Sequence, residues 1–237
     1  MIVFRNQNIV VPNKKELILG FLCWFGYLVG IPLLVDMTGY FSDGSLRSDF
    51  LYNMTVSVCC FLMVLFAFRN FLYRSRLPFP MLVLTCLFGF MGTMGLESLM
   101  GLLLSFLLPL LPESPTNMNQ EAINNLLFAY KGPMLMEVVL LAPFVEELLF
   151  RGTIFAPLCK KSPFWAYTLS MIAFAGLHVV AYIGVQHWTV ILFSFLQYLP
   201  GAFVLCWAYQ RSMSIWPPIA LHGIMNLYSS VMILSMV

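Results

Sequence analysis

Seven apolar stretches, each close to the length of a bilayer crossing, run through this chain with no polar domain between them: roughly 17–35, 50–68, 80–105, 133–158, 163–185, 188–209 and 214–236. A hydrocarbon core takes about 20 mainly apolar residues per helix, and inside it every backbone N–H and C=O needs an internal partner. The expected fold class is therefore all-α, a polytopic membrane helix bundle of about seven transmembrane helices. The residues are 61% hydrophobic and 9% charged, whereas a soluble domain carries about 25% charged residues. The leading segment, MIVFRNQNIVVPNKKE, is polar and basic, and the apolar run behind it is long enough to span, so the first helix is expected to be retained.

Loop charges give the orientation. Arg5, Lys14, Lys15, Arg69, Arg74, Arg76, Lys160, Lys161 and Arg211 all fall on one side of a seven-span arrangement, and only Arg47 and Lys131 fall on the other. The positive-inside rule then puts the N-terminus in the cytoplasm and the C-terminus outside. The run 77–112 is read as one span with an interfacial tail, since splitting it would put Lys160, Lys161 and Arg211 outside. Residues 112–132 read as an external loop followed by an amphipathic interfacial helix. A net charge of +2 gives no reason to expect nucleic acid as a partner. Six cysteines lie in or beside apolar stretches without paired spacing and read as small buried hydrophobes rather than a disulfide framework.

Three ionisable residues interrupt the fourth stretch. In PMLMEVVLLAPFVEELLFRGTIFAPLC, Glu146, Glu147 and Arg151 lie where a charge costs roughly 2.5–3.5 kcal/mol on insertion scales, which makes them a functional-site hypothesis. Helical spacing lets Glu147 and Arg151 pair, while Glu146, about 100° around the helix, points elsewhere. Two later stretches each carry a histidine. His178 shares a face with Phe174, and His222 shares one with Asn226. A carboxylate, two imidazoles and an amide can supply a base, a water-orienting group and donors for a tetrahedral oxyanion. The bland alternative is a structural polar cluster. His187, beside Trp188 at a loop, reads as interfacial, and Glu97 and Glu137 are placed near the outer interface with no chemistry assigned.

Glu146-Glu147-x-x-x-Arg151, Phe174-x-x-x-His178 and His222-x-x-x-Asn226, in this order on three separate helices, resemble the motifs of the CPBP family, the CAAX proteases and bacteriocin-processing enzymes also called Abi. The resemblance covers about 133–230. It divides the chain into N-terminal transmembrane helices with an external amphipathic segment, 1–132, and a catalytic helical core, 133–237, within one integral membrane domain. It implies an intramembrane endopeptidase in which Glu146 and His178 activate water, His222 and Asn226 stabilise the oxyanion, and Glu147, Arg151 and Phe174 support them. The implied partners are membrane lipid and a membrane-associated or lipidated peptide or protein. The small size and the lack of long targeting segments suggest an integral position in a bacterial plasma membrane.

The family was first described as metalloproteases and also includes glutamate-dependent members. Zinc sites of the H-E-x-x-H type put two histidines one helical turn apart. Here the histidines sit on different helices, so metal-free water activation is favoured. Zinc, held by Glu146, His178 and His222, stays open because ligands can converge in space. The rival from another class is a non-catalytic membrane immunity or regulatory protein that holds a peptide or partner helix with the same polar cluster.

Overall fold

A computed structural model describes residues 9–41, 43–110 and 117–236. Among these, eight helices follow one another: α1 (Lys14–Asp36), α2 (Leu46–Arg74), α3 (Phe79–Ser105), α4 (Met118–Ala129), α5 (131–159), α6 (Pro163–Val180), α7 (Trp188–Ser212) and α8 (Trp216–Leu234). The described residues form no strand; a single isolated bridge joins Ile183 to Gln186. The all-α expectation holds, and 79–105 is one continuous helix rather than two. Arg5, Glu113 and the first part of the 112–132 loop lie outside the described residues; the amphipathic segment behind them is α4.

Five helices, α1, α2, α3, α6 and α7, are long and apolar enough to cross a membrane. The count of seven rests on adding α5 and α8, whose apolar runs are interrupted by the ionisable and amide side chains of the site. Large apolar side chains such as Phe21, Leu22, Phe25, Phe79, Leu87 and Phe88 face outward. In a chain with this composition, lipid is the solvent that accepts them.

Local chemistry sets the helix ends. Asn13 opens α1 with a reciprocal capping box, its side chain accepting from the Glu16 N–H while Glu16 accepts from the Asn13 N–H. Ser45 and Asn117 cap α2 and α4, and prolines stand in the first turns of α3, α6 and α8, where no N–H is required.

The basic loops meet at one end of the bundle. Arg74, at the end of α2, pairs with Glu16, at the start of α1, at 2.6 Å. The Tyr209 hydroxyl donates to the Val10 carbonyl, the Ser214 hydroxyl donates to the Ser75 carbonyl, and the Trp216 indole donates to the Leu72 carbonyl. The N-terminal segment, the α2–α3 turn and the α7–α8 turn therefore share one end, as their common basic character requires. The main core lies between α1, α2, α5, α6 and α7, around Phe68, Phe71, Leu148, Leu149, Phe155 and Tyr209. Of the six free cysteines, five are buried there or nearby and Cys59 is exposed.

Three π-helical turns break the α register, at Gly26–Gly30 in α1 and at Glu137–Leu141 and Leu148–Phe155 in α5. Each ends two residues before a proline: Pro32, Pro143 and Pro157. Proline lacks an N–H, and its ring crowds the carbonyl four residues back; widening the preceding turn relieves the crowding and leaves carbonyls for other donors. Those carbonyls are used. Asn226 donates to the Val138 carbonyl at 2.8 Å, and the Trp24 indole donates to the Leu149 carbonyl at 3.2 Å.

Candidate active site

Glu146 and Glu147 are adjacent on α5 and face different surroundings, as helical geometry requires. Glu147 is fully buried, and its Oε1 accepts from Arg151 Nη1 at 3.0 Å and from His222 Nδ1 at 2.9 Å. Arg151, also fully buried, donates through Nη2 to the Ala202 carbonyl of α7 at 3.0 Å. Phe174 of α6 covers the guanidinium, its ring centroid 4.6 Å from Arg151 Cζ, a favourable cation–π geometry in a desolvated setting. Arg151 thus joins α5, α6 and α7 behind the site, and its charge is spent on Glu147.

Glu146 faces forward. Its Oε2 lies 3.9 Å from His178 Nε2 and 3.9 Å from His222 Nε2, and this oxygen has no hydrogen-bond partner among the described residues. The two rings are oriented from behind. His178 Nδ1 lies 2.8 Å from the Phe174 carbonyl, which can only accept, so Nδ1 carries the proton and Nε2 presents a lone pair. In the same way, His222 Nδ1 donates to the Glu147 carboxylate. Both imidazoles therefore turn Nε2 towards the same oxygen of Glu146.

Side chains that the motifs do not name complete the site. The Tyr198 ring of α7 lies 4.4 Å from His178, centroid to centroid, opposite Phe174 at 4.6 Å. The Tyr198 hydroxyl reaches Asn119 and Asn117 at the start of α4, so the interfacial helix is tied to the ring that confines His178. Gly223 lets α8 approach α5: a Cβ there would meet the Val139 carbonyl oxygen at 2.5 Å.

Glu146, His178, His222 and Asn226 line one cavity of about 630 Å³ inside the bundle. Two further carboxylates line this cavity. Glu137 is 6% exposed, faces it, and accepts from the Ser57 hydroxyl at 2.8 Å. Glu97 lines the cavity as well. Counting residues along a span gives depth but not facing, and the π turn at 137–141 turns Glu137 inward. Asn226 has one amide N–H engaged on Val138, so its donors are shared between helix packing and the cavity. His187 is exposed, caps α7 and contacts Thr189, as its loop position predicts.

Residues 128–228 match the family model described as type II CAAX prenyl endopeptidase Rce1-like. This segment contains all seven motif residues. Over this segment, somewhat less than half of the chain, the protein is similar to the CPBP family. It is 26% identical over 218 residues, 88% of this chain and 83% of the relative, to the Bacillus subtilis protein named "Putative membrane peptidase YdiL". It is also 26% identical over 136 residues, 57% of this chain and 49% of the relative, to the UPF0177 protein YvdC of Lactococcus lactis. No solved structure matches it.

The same three donors, Glu146, His178 and His222, stand farther apart than the ligands of a closed zinc site. Donors about 2.0–2.1 Å from a tetrahedral zinc stand roughly 3.3 Å apart, and the two Nε2 atoms lie 3.9 Å from Glu146 Oε2. Among the described residues no group of three or more His, Cys, Asp or Glu is arranged to hold a metal ion.

Proposed function

We propose that this protein is an intramembrane endopeptidase that hydrolyses a peptide bond in a membrane-associated or lipidated peptide or protein, with Glu146 as general base. The observation that carries this reading is the convergence of both Nε2 atoms on one unpartnered oxygen of Glu146, at the wall of a cavity inside a membrane bundle. The 3.9 Å from each ring nitrogen is too long for a direct hydrogen bond and is the order of separation that a single admitted water would bridge.

In the reaction, water gives a proton to Glu146 while its oxygen attacks the substrate carbonyl, with the His178 lone pair orienting the second O–H. The carbonyl oxygen becomes an oxyanion. Asn226 donates to it with the N–H not engaged on Val138, and His222, when its ring carries both protons, donates from Nε2. As the C–N bond breaks, Glu146 returns its proton to the leaving amine. Glu147 holds His222 in register, and Arg151 and Phe174 hold Glu147. No step requires a metal.

The bacterial relatives and the basic end of the bundle support a bacterial plasma membrane, with the N-terminus cytoplasmic and the C-terminus outside. The test is turnover of membrane-anchored peptides by detergent-purified protein compared with Glu146→Gln. Cleavage that survives this substitution removes Glu146 as the base.

A further inference from the structure

We infer that the cavity selects substrates carrying a cationic group about four residues from the scissile bond, and that Glu137 is the residue that recognises it. This rests on the proteolytic reading above and adds a substrate class to it. Among the described residues, the carboxylates lining the cavity are Glu97, Glu137 and Glu146, and no lysine or arginine lines it. Arg151 sits behind the site, fully buried and committed to Glu147 and the Ala202 carbonyl. Away from the two histidines, a substrate anion at the Glu137 end would meet carboxylates, the arrangement by which a site disfavours a wrong partner.

Glu137 is placed to read a positive charge. It is 6% exposed, its Oε1 is steadied by the uncharged Ser57 hydroxyl at 2.8 Å, and no ion pair with it is found among the described residues. Glu146, only 8% exposed, lines the same cavity. Nine residues of helix separate the two glutamates, roughly 13 Å along the axis, which an extended peptide covers in about four residues. A lysine, arginine or free amine at that distance from the attacked carbonyl would reach the Glu137 carboxylate while the scissile bond lies at Glu146.

The experiment measures binding apart from turnover. Fluorescent apolar peptides, identical except for Lys, Gln or Glu four residues to either side of a central bond, are titrated by anisotropy against the detergent-purified Glu146→Gln protein and offered to the wild type for cleavage. The lysine peptide is expected to bind at least about tenfold more tightly than the glutamate peptide, and adding Glu137→Gln is expected to abolish the difference. Ser57→Ala, which leaves the charge in place, should retain it, and thermal unfolding checks that each variant folds. Equal affinities, tighter binding of the glutamate peptide, binding of none, or a preference that survives Glu137→Gln overturns the inference. A lysine preference without cleavage by the wild type keeps it and overturns the proteolytic reading instead.

Discussion

The α-carbon of Gly223 rests against the carbonyl oxygen of Val139, so close that a Cβ added there would stand 2.5 Å from that oxygen. Backbone on backbone leaves no flexible side chain to yield. The glycine directly follows His222, and this approach of α8 to α5 brings the imidazole to both glutamates. Gly223→Ala is expected to cost about 1–3 kcal/mol, the usual penalty of overpacking, and to lower turnover more than Gly176→Ala, where open space surrounds the site. Thermal unfolding in detergent and a peptide cleavage assay check both parts.

Glu146→Gln keeps the volume of the side chain and removes the proton acceptor. Cleavage is expected to vanish, with expression and unfolding temperature near wild type, since among the described residues this carboxylate supports no other side chain by hydrogen bonding. Expression blots beside activity measurements read the outcome.

Glu147 has the opposite profile. It balances Arg151 and orients His222 in a fully buried setting, so Glu147→Ala leaves an uncompensated guanidinium, which costs about 3–5 kcal/mol. Folding yield should fall together with activity. An unchanged yield in size-exclusion profiles would remove this structural role.

Asn226→Ala removes both the bond to the Val138 carbonyl and the proposed oxyanion donor. Turnover is expected to fall by roughly 10²–10³, the scale of losing one such donor, with substrate affinity much less affected. The chelator experiment belongs beside it: full activity of metal-stripped protein is expected, while loss on chelation and recovery with stoichiometric zinc would make His178 and His222 ligands instead.

Single cysteines placed in the loops should be labelled from the cytoplasmic side at 69–76 and 160–162 and from outside at 36–49 and 117–131. Outside labelling at 160–162 would reverse the assignment of the basic end.

Much of this arrangement is legible in the sequence because it depends on short-range helical geometry. The Glu147–Arg151 pair follows from a four-residue spacing, and so does the contact of His178 with the Phe174 carbonyl. Seven of the eight helices begin within four residues of an apolar stretch read from the sequence. What escapes is set by tertiary facing. Tyr198 confines His178 from another helix, Gly223 matters only because Val139 lies opposite, and Glu137 enters the cavity because the backbone widens there. A proline signal for that widening is present at 32, 143 and 157, but a proline in an apolar run fits a kink as well as a π turn, and only the surrounding donors distinguish the two.

A π turn amounts to one residue inserted into an α-helix, so the length of α5 matters independently of its composition. Removing one residue from 137–141 would restore the regular winding and rotate everything before it by about 100° relative to Glu146. The proposed hydrolytic centre, which lies after that point, would keep its own spacing to His178 and His222. Glu137 would swing away from Ser57, and the Val138 carbonyl would lose Asn226. A one-residue deletion far from the reacting atoms could thus uncouple what the cavity accepts from what it does to it, a change that no substitution in this helix reproduces.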